Sequence, residues 1–407
     1  KNLILIYGTE NKEIKKDKCT GCGACSYICP KGCIEMKEND MHELLPVINA
    51  YMCVECGKCV KICPVLNPVE TYVPIEAYAA RSNDKKEAFN SASGGIASTL
   101  YRDGLKENAY IAGAVQNPDF SVNLISGKNI ELINQFKNSK YVFSTAYRLY
   151  PELATLLKQE KQVIVAGLPC QIAAIRKIFK DNPKLFLIDI VCHGTTPTAY
   201  LQQHIKKIEQ EMEQSATKMF FRDPYVYTFT FTFTLYNKHG ERFYAKRTKD
   251  GDTYQFGYHR AISYRESCYY CPFACNKRTG DLSLADYPGL GCIIPFTHER
   301  EFINCVLVNT LKGKNWFRKS INKGSILAWE RPIDEAIAYN RQLNTHAEKS
   351  AYRLMFEKTM RTNGADFEKA MVPLMRKGLR KEKIIRLYML PKRIVGKVKR
   401  VIKNLIK

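Results

Sequence analysis

Cys19-Thr20-Gly21-Cys22-Gly23-Ala24-Cys25-Ser26-Tyr27-Ile28-Cys29-Pro30 and Cys53-Val54-Glu55-Cys56-Gly57-Lys58-Cys59-Val60-Lys61-Ile62-Cys63-Pro64 are the two stretches whose reading decides the fold of this chain. Each runs C-x2-C-x2-C-x3-C-P. Three closely spaced thiolates wrap one corner of a cubane iron-sulfur cluster, and the fourth cysteine, carried off by the following turn, ligates the other cluster. The spacing therefore predicts two 4Fe-4S clusters, one held by Cys19, Cys22, Cys25 and Cys63, the other by Cys53, Cys56, Cys59 and Cys29. Gly21, Gly23 and Gly57 lie between ligands, where backbone must approach inorganic sulfide and leave its amides free to bond it. A pair of zinc knuckles is the competing reading, but zinc sites use paired Cys-x-x-Cys without a third and fourth cysteine at this spacing and a proline. Cys33, four residues after Cys29, is surplus to both sets and reads as a small buried residue.

Composition bounds the rest. At 407 residues the chain is too long for one ordinary core, and 45% apolar against 25% charged residues places it among packed globular proteins. Its 16 cysteines sit in a large, Lys-rich chain with neither a signal peptide nor an apolar stretch of membrane-spanning length. That argues for reduced thiols and a cytoplasmic setting. The formal charge is +23, yet thirteen Lys or Arg against the single acid Glu382 lie between Arg376 and Lys407. About half of the excess thus belongs to one tail, and no nucleic-acid partner is expected.

Pro64, Pro68 and Pro74 punctuate the exit from the cysteine runs and set a boundary near residue 70. Beyond it, Ala109–Val115, Val163–Ala166 and Leu185–Val191 read as buried strands, alternating with helices over Ile96–Leu105, Gln171–Phe179 and Thr198–Met212. This alternation implies an α/β core with parallel pairing. Two strands end in cysteine-bearing turns, Gly167-Leu168-Pro169-Cys170-Gln171 and Val191-Cys192-His193-Gly194-Thr195, which should face one crevice at the carboxyl ends of the sheet. Ser91-Ala92-Ser93-Gly94-Gly95 precedes a helix and suits either a cofactor phosphate or an ordinary cap. The aromatic-Thr alternation from Tyr227 to Thr234, with a partner stretch around Phe243-Tyr244, reads as a β-hairpin. Cys268-Tyr269-Tyr270-Cys271, with Cys275 close behind and Arg278 to Tyr287 following, is half of a metal or redox site that needs distant partners.

The N-terminal part resembles bacterial two-cluster ferredoxins. The segments Ser93-Gly94-Gly95, Ser139-Lys140-Tyr141, Gly167 to Gln171, Cys192-His193-Gly194 and Arg265 to Asp286, in that order, resemble the family of coenzyme F420 hydrogenase/dehydrogenase beta subunits over roughly residues 15 to 300. The resemblance implies a core that binds FAD and carries a third 4Fe-4S cluster, converting single electrons from clusters into hydride chemistry. It places Cys170, Cys192, Cys268 and Cys271 at the family's recurring cysteine positions, with Cys275 a rival fourth ligand. It assigns Ser93, Gly94, Gly95 and Lys140 to flavin contact, with a solvated surface lysine the competing reading of Lys140, and leaves His193 as either a catalytic proton relay or a turn residue. Asn138 stands where a glycine is expected, Asp223-Pro224-Tyr225 replaces a basic, tryptophan-containing stretch, and Tyr287 replaces an aromatic pair. The deazaflavin coenzyme itself is therefore not assumed as substrate.

Past residue 300 the resemblance fades; Ile333–Asn340 and Tyr352–Met360 read as helices. From Arg376 on, Ile384, Leu387, Leu390, Ile394, Val398, Val401, Ile402 and Leu405 interleave with positive residues, giving either a solvated terminal helix or a segment that lies on an anionic membrane surface at the inner face of the cell membrane. The expected organisation is α+β: a bacterial ferredoxin-like domain at 1–68, a mixed α/β flavin-binding core at 75–300, a helical region at 301–375 and a basic amphipathic tail at 376–407. The expected function is an iron-sulfur flavoprotein oxidoreductase served by a ferredoxin-like donor or a partner redox subunit and acting on an organic substrate. The alternatives are a non-catalytic electron-transfer subunit and a scaffold that keeps clusters without flavin.

Overall fold

The computed structural model describes residues 3–4 and 14–385. A short ladder pairs β1 (Leu3–Ile4) with β2 (Ile14–Lys15). The ferredoxin-like region follows as α1 (Ala24–Ile28), the hairpin β3 (Ile34–Glu38) and β4 (Leu44–Ile48), and α2 (Lys58–Ile62). The core then runs β5 (Glu76–Ser82), α3 (Lys85–Phe89), α4 (Ile96–Lys106), β6 (Tyr110–Gln116), β7 (Val122–Gly127), α5 (Glu131–Phe136), β8 (Ser144–Thr145), α6 (Leu149–Lys158), β9 (Val163–Gly167), α7 (Pro169–Phe179), β10 (Leu185–Ile190) and α8 (Thr198–Met212). A small antiparallel sheet, β11 (Lys218–Phe220), β12 (Phe233–Tyr236) and β13 (Arg242–Lys246), leads through α9 (Thr253–His259) to β14 (Leu282–Asp286) and β15 (Asn304–Val308). The chain continues as α10 (Leu311–Asn322), β16 (Ile326–Arg331), α11 (Ile333–Ala338), α12 (Ala351–Thr362) and a helix α13 over 367–385.

Nine strands make the main sheet, in the order β16-β5-β15-β14-β10-β9-β6-β7-β8. The central four, β14-β10-β9-β6, are parallel. β9 and the first four residues of β10 read as unbroken apolar runs because both faces are covered. Along β9 and β10 the faces alternate strictly. Val163, Val165, Leu185 and Leu187 pack with Leu149 and Leu153 of α6 and Ile172 and Ile175 of α7. Ile164, Ala166, Phe186 and Ile188 pack with Ile96 and Leu100 of α4 and Phe317 of α10. Each Val, Leu, Ile or Phe among them contributes roughly 1.5–3 kcal/mol on burial. Ala24 of α1 joins the α6/α7 cluster, so the ferredoxin-like region is seated on that face of the sheet. A separate aromatic cluster unites the small sheet with α8, α9, α12 and α13.

Two expectations change. Tyr227–Thr234 is not one strand: Thr228–Thr230 is a 3-10 turn and pairing begins at Phe233. The Asp223 carboxylate, accepting from Tyr225 N, Thr234 Oγ1 and Tyr236 OH, folds the chain over at Pro224. Tyr227 and Phe231 take positive φ, 111° and 50°, which breaks the extended pattern that the alternation mimics. Residues 301–375 are not simply helical either, because β15 and β16 complete the antiparallel flank beside β5. The amphipathic tail from residue 386 on lies outside the described residues. The linker after Pro64 is stitched to the core by the reciprocal backbone bonds Tyr72 N to Arg278 O and Arg278 N to Tyr72 O, both 2.8 Å.

Candidate redox site

Gly23 and Gly57 start α1 and α2 with φ of 74° and 67°, a left-handed turn that wraps each cysteine run around an open space. Cys19, Cys22, Cys25 and Cys63 line one cavity. Cys29, Cys53, Cys56 and Cys59 line a second, together with Cys33. Each cavity thus takes three cysteines from one run and one from the other. Among the described residues no three His, Cys, Asp or Glu side chains converge on a single-ion position. The thiolates of a cubane stand farther apart than the ligands of one ion, so a ring around a cavity is the arrangement a cluster requires. Burial pushes the Cys19 thiol up to about 12 and Cys63 to about 11. Four thiolates in such a space need compensating positive charge, which iron supplies. Cys33 is buried, with its Sγ 3.3 Å from that of Cys29.

Cys170 sits in the first turn of α7, Cys192 just past β10, and Cys268 and Cys271 in and after the 3-10 turn Glu266–Tyr270. The fold brings these four together. Burial raises the Cys170 thiol, and the neighbouring Cys271, Cys192, Cys268 and Cys22 raise it further. Cys271 is pushed up to about 12 by burial and then by Cys268. The Cys275 thiol turns instead to its own loop, toward the carbonyls of Lys277 at 3.3 Å and Pro272 at 3.6 Å. Tyr150 bridges the two cysteine neighbourhoods: its hydroxyl donates to Cys22 O at 2.7 Å, and Cys22, Cys170 and Cys25 all act on it. The first cavity therefore faces the core set, while Cys56 of the second is exposed.

The residues expected at a flavin are engaged within the chain. Ser93 Oγ donates to Ile303 O at 2.8 Å. A Cβ on Gly94 would meet Ala80 O at 2.7 Å, and Gly95 opens α4 with φ of 74°. Lys140 Nζ donates to Gln135 O and Lys137 O, both at 2.9 Å, at the end of α5, and desolvation lowers its ammonium to about 7. Asn138 takes φ of 65°, the conformation for which glycine was expected and which Asn tolerates.

His193 follows Cys192 at the carboxyl end of β10 and is exposed to the crevice. Desolvation lowers its pKa, with Asp286 opposing and Arg222 assisting. His259, lowered to about 4 by desolvation and by His193, faces it from the end of α9. Arg222 Nη1 reaches both oxygens of Asp286, at 3.1 and 2.8 Å, at the end of β14. Tyr141 stacks on Tyr258 at 4.4 Å. Arg222 Nη2 and Asn138 Oδ1 are buried polar atoms without a partner among the described residues. Neither His259 nor the Arg222–Asp286 pair carries a signal along the chain, since only tertiary folding joins them.

Cysteine-lined cavities beside an α/β crevice define an iron-sulfur protein of the oxidoreductase class. Residues 18–67 match the family described as 4Fe-4S dicluster domain, and residues 160–333 match the C terminus of the coenzyme F420 hydrogenase/dehydrogenase beta subunit. Over these residues the chain carries the C-terminal domain of such beta subunits, preceded by a 4Fe-4S dicluster domain. It is 25% identical over 190 residues to one of the subunits of F(420)H(2) dehydrogenase from Methanosarcina mazei, covering 43% of this chain and 53% of the relative. It is 28% identical over 173 residues to coenzyme F420-dependent sulfite reductase of Methanocaldococcus jannaschii, covering 41% of this chain and 26% of the relative. The chain thus spans about half of one relative and a quarter of the other. A solved structure of the F420-reducing NiFe hydrogenase complex from Methanosarcina barkeri superposes with a TM-score of 0.42 at 19% identity, covering 68% of this chain and 88% of that one. Among the described residues no helix is long and apolar enough to cross a membrane.

Proposed function

We propose that this chain is an iron-sulfur flavoprotein oxidoreductase, passing electrons between ferredoxin-type clusters and FAD to reduce, or in reverse to oxidise, an organic substrate. The observation that carries the reading is the convergence of Cys170, Cys192, Cys268 and Cys271 beside Cys22, which extends a line of cysteine-lined sites from the surface to the crevice. On this reading Cys19, Cys22, Cys25 and Cys63 hold one 4Fe-4S cluster, Cys29, Cys53, Cys56 and Cys59 a second, and the core four a third. The exposed rim at Cys56 is where a ferredoxin-like donor or a partner redox subunit exchanges electrons. The unpartnered Arg222 Nη2 and Asn138 Oδ1 suit a polar ring system in the crevice. When bound there, the flavin supplies the conversion between single electrons and electron pairs. His193 and His259, both held toward the neutral form, can accept or return a proton at the crevice wall.

The test is anaerobic purification followed by iron, acid-labile sulfide and flavin analysis of one sample. About twelve irons with one FAD is the expected result, at about four irons per cluster. About eight irons without flavin refutes the core assignments. The second reading, a non-catalytic subunit that feeds a partner, is favoured by the internal engagement of Ser93, Gly94 and Lys140. It predicts a fully loaded protein that reduces dyes and turns over no metabolite.

A further inference from the structure

Arg265 is 2% exposed and belongs to the core, where its N–H donates to Thr195 O at 2.8 Å and its carbonyl accepts from Cys268 N at 3.0 Å. Its side chain leaves the core and enters the ferredoxin-like region. Nη1 donates to Thr20 O at 2.7 Å, Nη2 donates to Leu44 O at 3.2 Å, and the guanidinium lies 4.0 Å from the centre of the Phe143 ring. Thr20 lines the first cavity. Gly21 makes room for this passage: a Cβ there would stand 2.6 Å from Arg265 Nη2 and 2.7 Å from Leu44 O. The remaining donor, Nε, is buried without a partner among the described residues. No carboxylate of the described residues is hydrogen-bonded to the guanidinium; the buried Glu43 directs Oε1 to Glu266 N at 2.5 Å.

An Arg is charged at every working pH, and a buried charge bonded only to neutral carbonyls keeps its field. That field falls on both neighbourhoods at once. The guanidinium bonds the Thr20 carbonyl, next in the chain to Cys19, and the Arg265 carbonyl bonds the amide of Cys268.

We propose that Arg265 is a positioning residue that couples the first ferredoxin-type cluster to the core cluster, its single positive charge favouring the reduced form of both. The transfer it serves is one electron, lost by one cluster and gained by the other, with no proton and no bond made or broken. A shared cation raises both reduction potentials together, so it makes both centres easier to reduce without widening the step between them. The second cavity is lined by neither Thr20 nor Leu44 and serves as the internal reference.

This inference rests on the three-cluster reading, and its test separates the two. The full chain, purified anaerobically with its clusters, is titrated with dithionite and followed by electron paramagnetic resonance in wild type, Arg265→Gln, Arg265→Lys and Glu43→Gln. In Arg265→Gln the midpoints of the first and core clusters move negative while the second-cavity cluster stays at its wild-type value. Arg265→Lys, which keeps the charge, restores them. Glu43→Gln, which removes the buried carboxyl bonded to Glu266 N beside Arg265, moves the core-cluster midpoint positive. Wild type with only eight irons sinks the three-cluster reading itself. Full iron with unmoved midpoints in Arg265→Gln, or a shift shared equally by all clusters, overturns the coupling role alone. Should Arg265→Gln lose iron, first-cluster and core midpoints that move in fully loaded Arg265→Lys, which keeps the charge, overturn it equally.

Discussion

His204 is a buried imidazole held between two carboxylates, and substituting it by Gln gives a prediction whose size can be worked out. Its Nε2 lies 3.0 Å from Asp252 Oδ2 and its Nδ1 2.7 Å from Glu368 Oε1. Both ring nitrogens therefore donate, and the ring is an imidazolium. Burial disfavours that charge, but Asp252 and then Glu368 outweigh it and raise the pKa from 6.5 to about 9. At about 1.4 kcal/mol per tenfold change, the charged triad contributes ~3 kcal/mol. A value raised by folding means the contribution is complete below 6.5 and is lost as pH climbs through 9. Asp252 is shifted in the other direction, down, so its own contribution fades only at acid pH. The triad fastens α13, through Glu368, to α8 and to the N-cap of α9, the helix that carries His259. Urea unfolding of wild type and His204→Gln, each under anaerobic conditions between pH 6 and pH 9.5, should show the wild-type advantage shrinking by about 3 kcal/mol across that range. An advantage that is constant with pH refutes the imidazolium.

Three further outcomes rest on single contacts. Arg278→Ala leaves Asp189, which is 0% exposed and accepts from Arg278 Nε at 3.2 Å, bonded to the Thr279 and Gly280 amides but without its cation, and should cost about 3–5 kcal/mol in unfolding free energy; a loss below about 1 kcal/mol contradicts the buried pair. Cys29→Ala should keep iron in the second cavity, because Cys33 Sγ stands 3.3 Å from the lost sulfur, whereas Cys29→Ala/Cys33→Ala should lose about four irons; equal loss in both, by iron analysis, dismisses Cys33 as a substitute. Asn138→Val forces a β-branched residue to φ of 65° and should lower stability by about 1–2 kcal/mol relative to Asn138→Gly, read from paired thermal melts.

Legibility in the sequence followed the range of the forces at work. The cysteine runs are local, so ligand spacing and the glycine turns announce them without a fold. Val163–Gly167 and Leu185–Ile188 are legible because parallel strands buried on both faces leave a continuous apolar run. β5 is not legible: Glu-Ala-Tyr-Ala-Ala-Arg-Ser is rich in good helix formers, and it is a strand because Ala77, Ala79 and Ala80 are at most 1% exposed between two neighbouring strands. Tyr227–Phe231 misleads in the opposite way, carrying the alternation of a strand while Asp223 folds it into a turn. Arg265 meets Thr20 across 245 residues, and no pattern along the chain records such a contact.

The exchange of one cysteine between the two runs has a meaning for biosynthesis. If Cys63 completes the shell begun by Cys19, Cys22 and Cys25, then a nascent chain that has displayed only its first run holds an unfinished iron site and one thiol, Cys29, waiting for a group that does not yet exist. Loading cannot proceed run by run behind the ribosome. On that ligand assignment neither shell is complete until residue 63 has emerged.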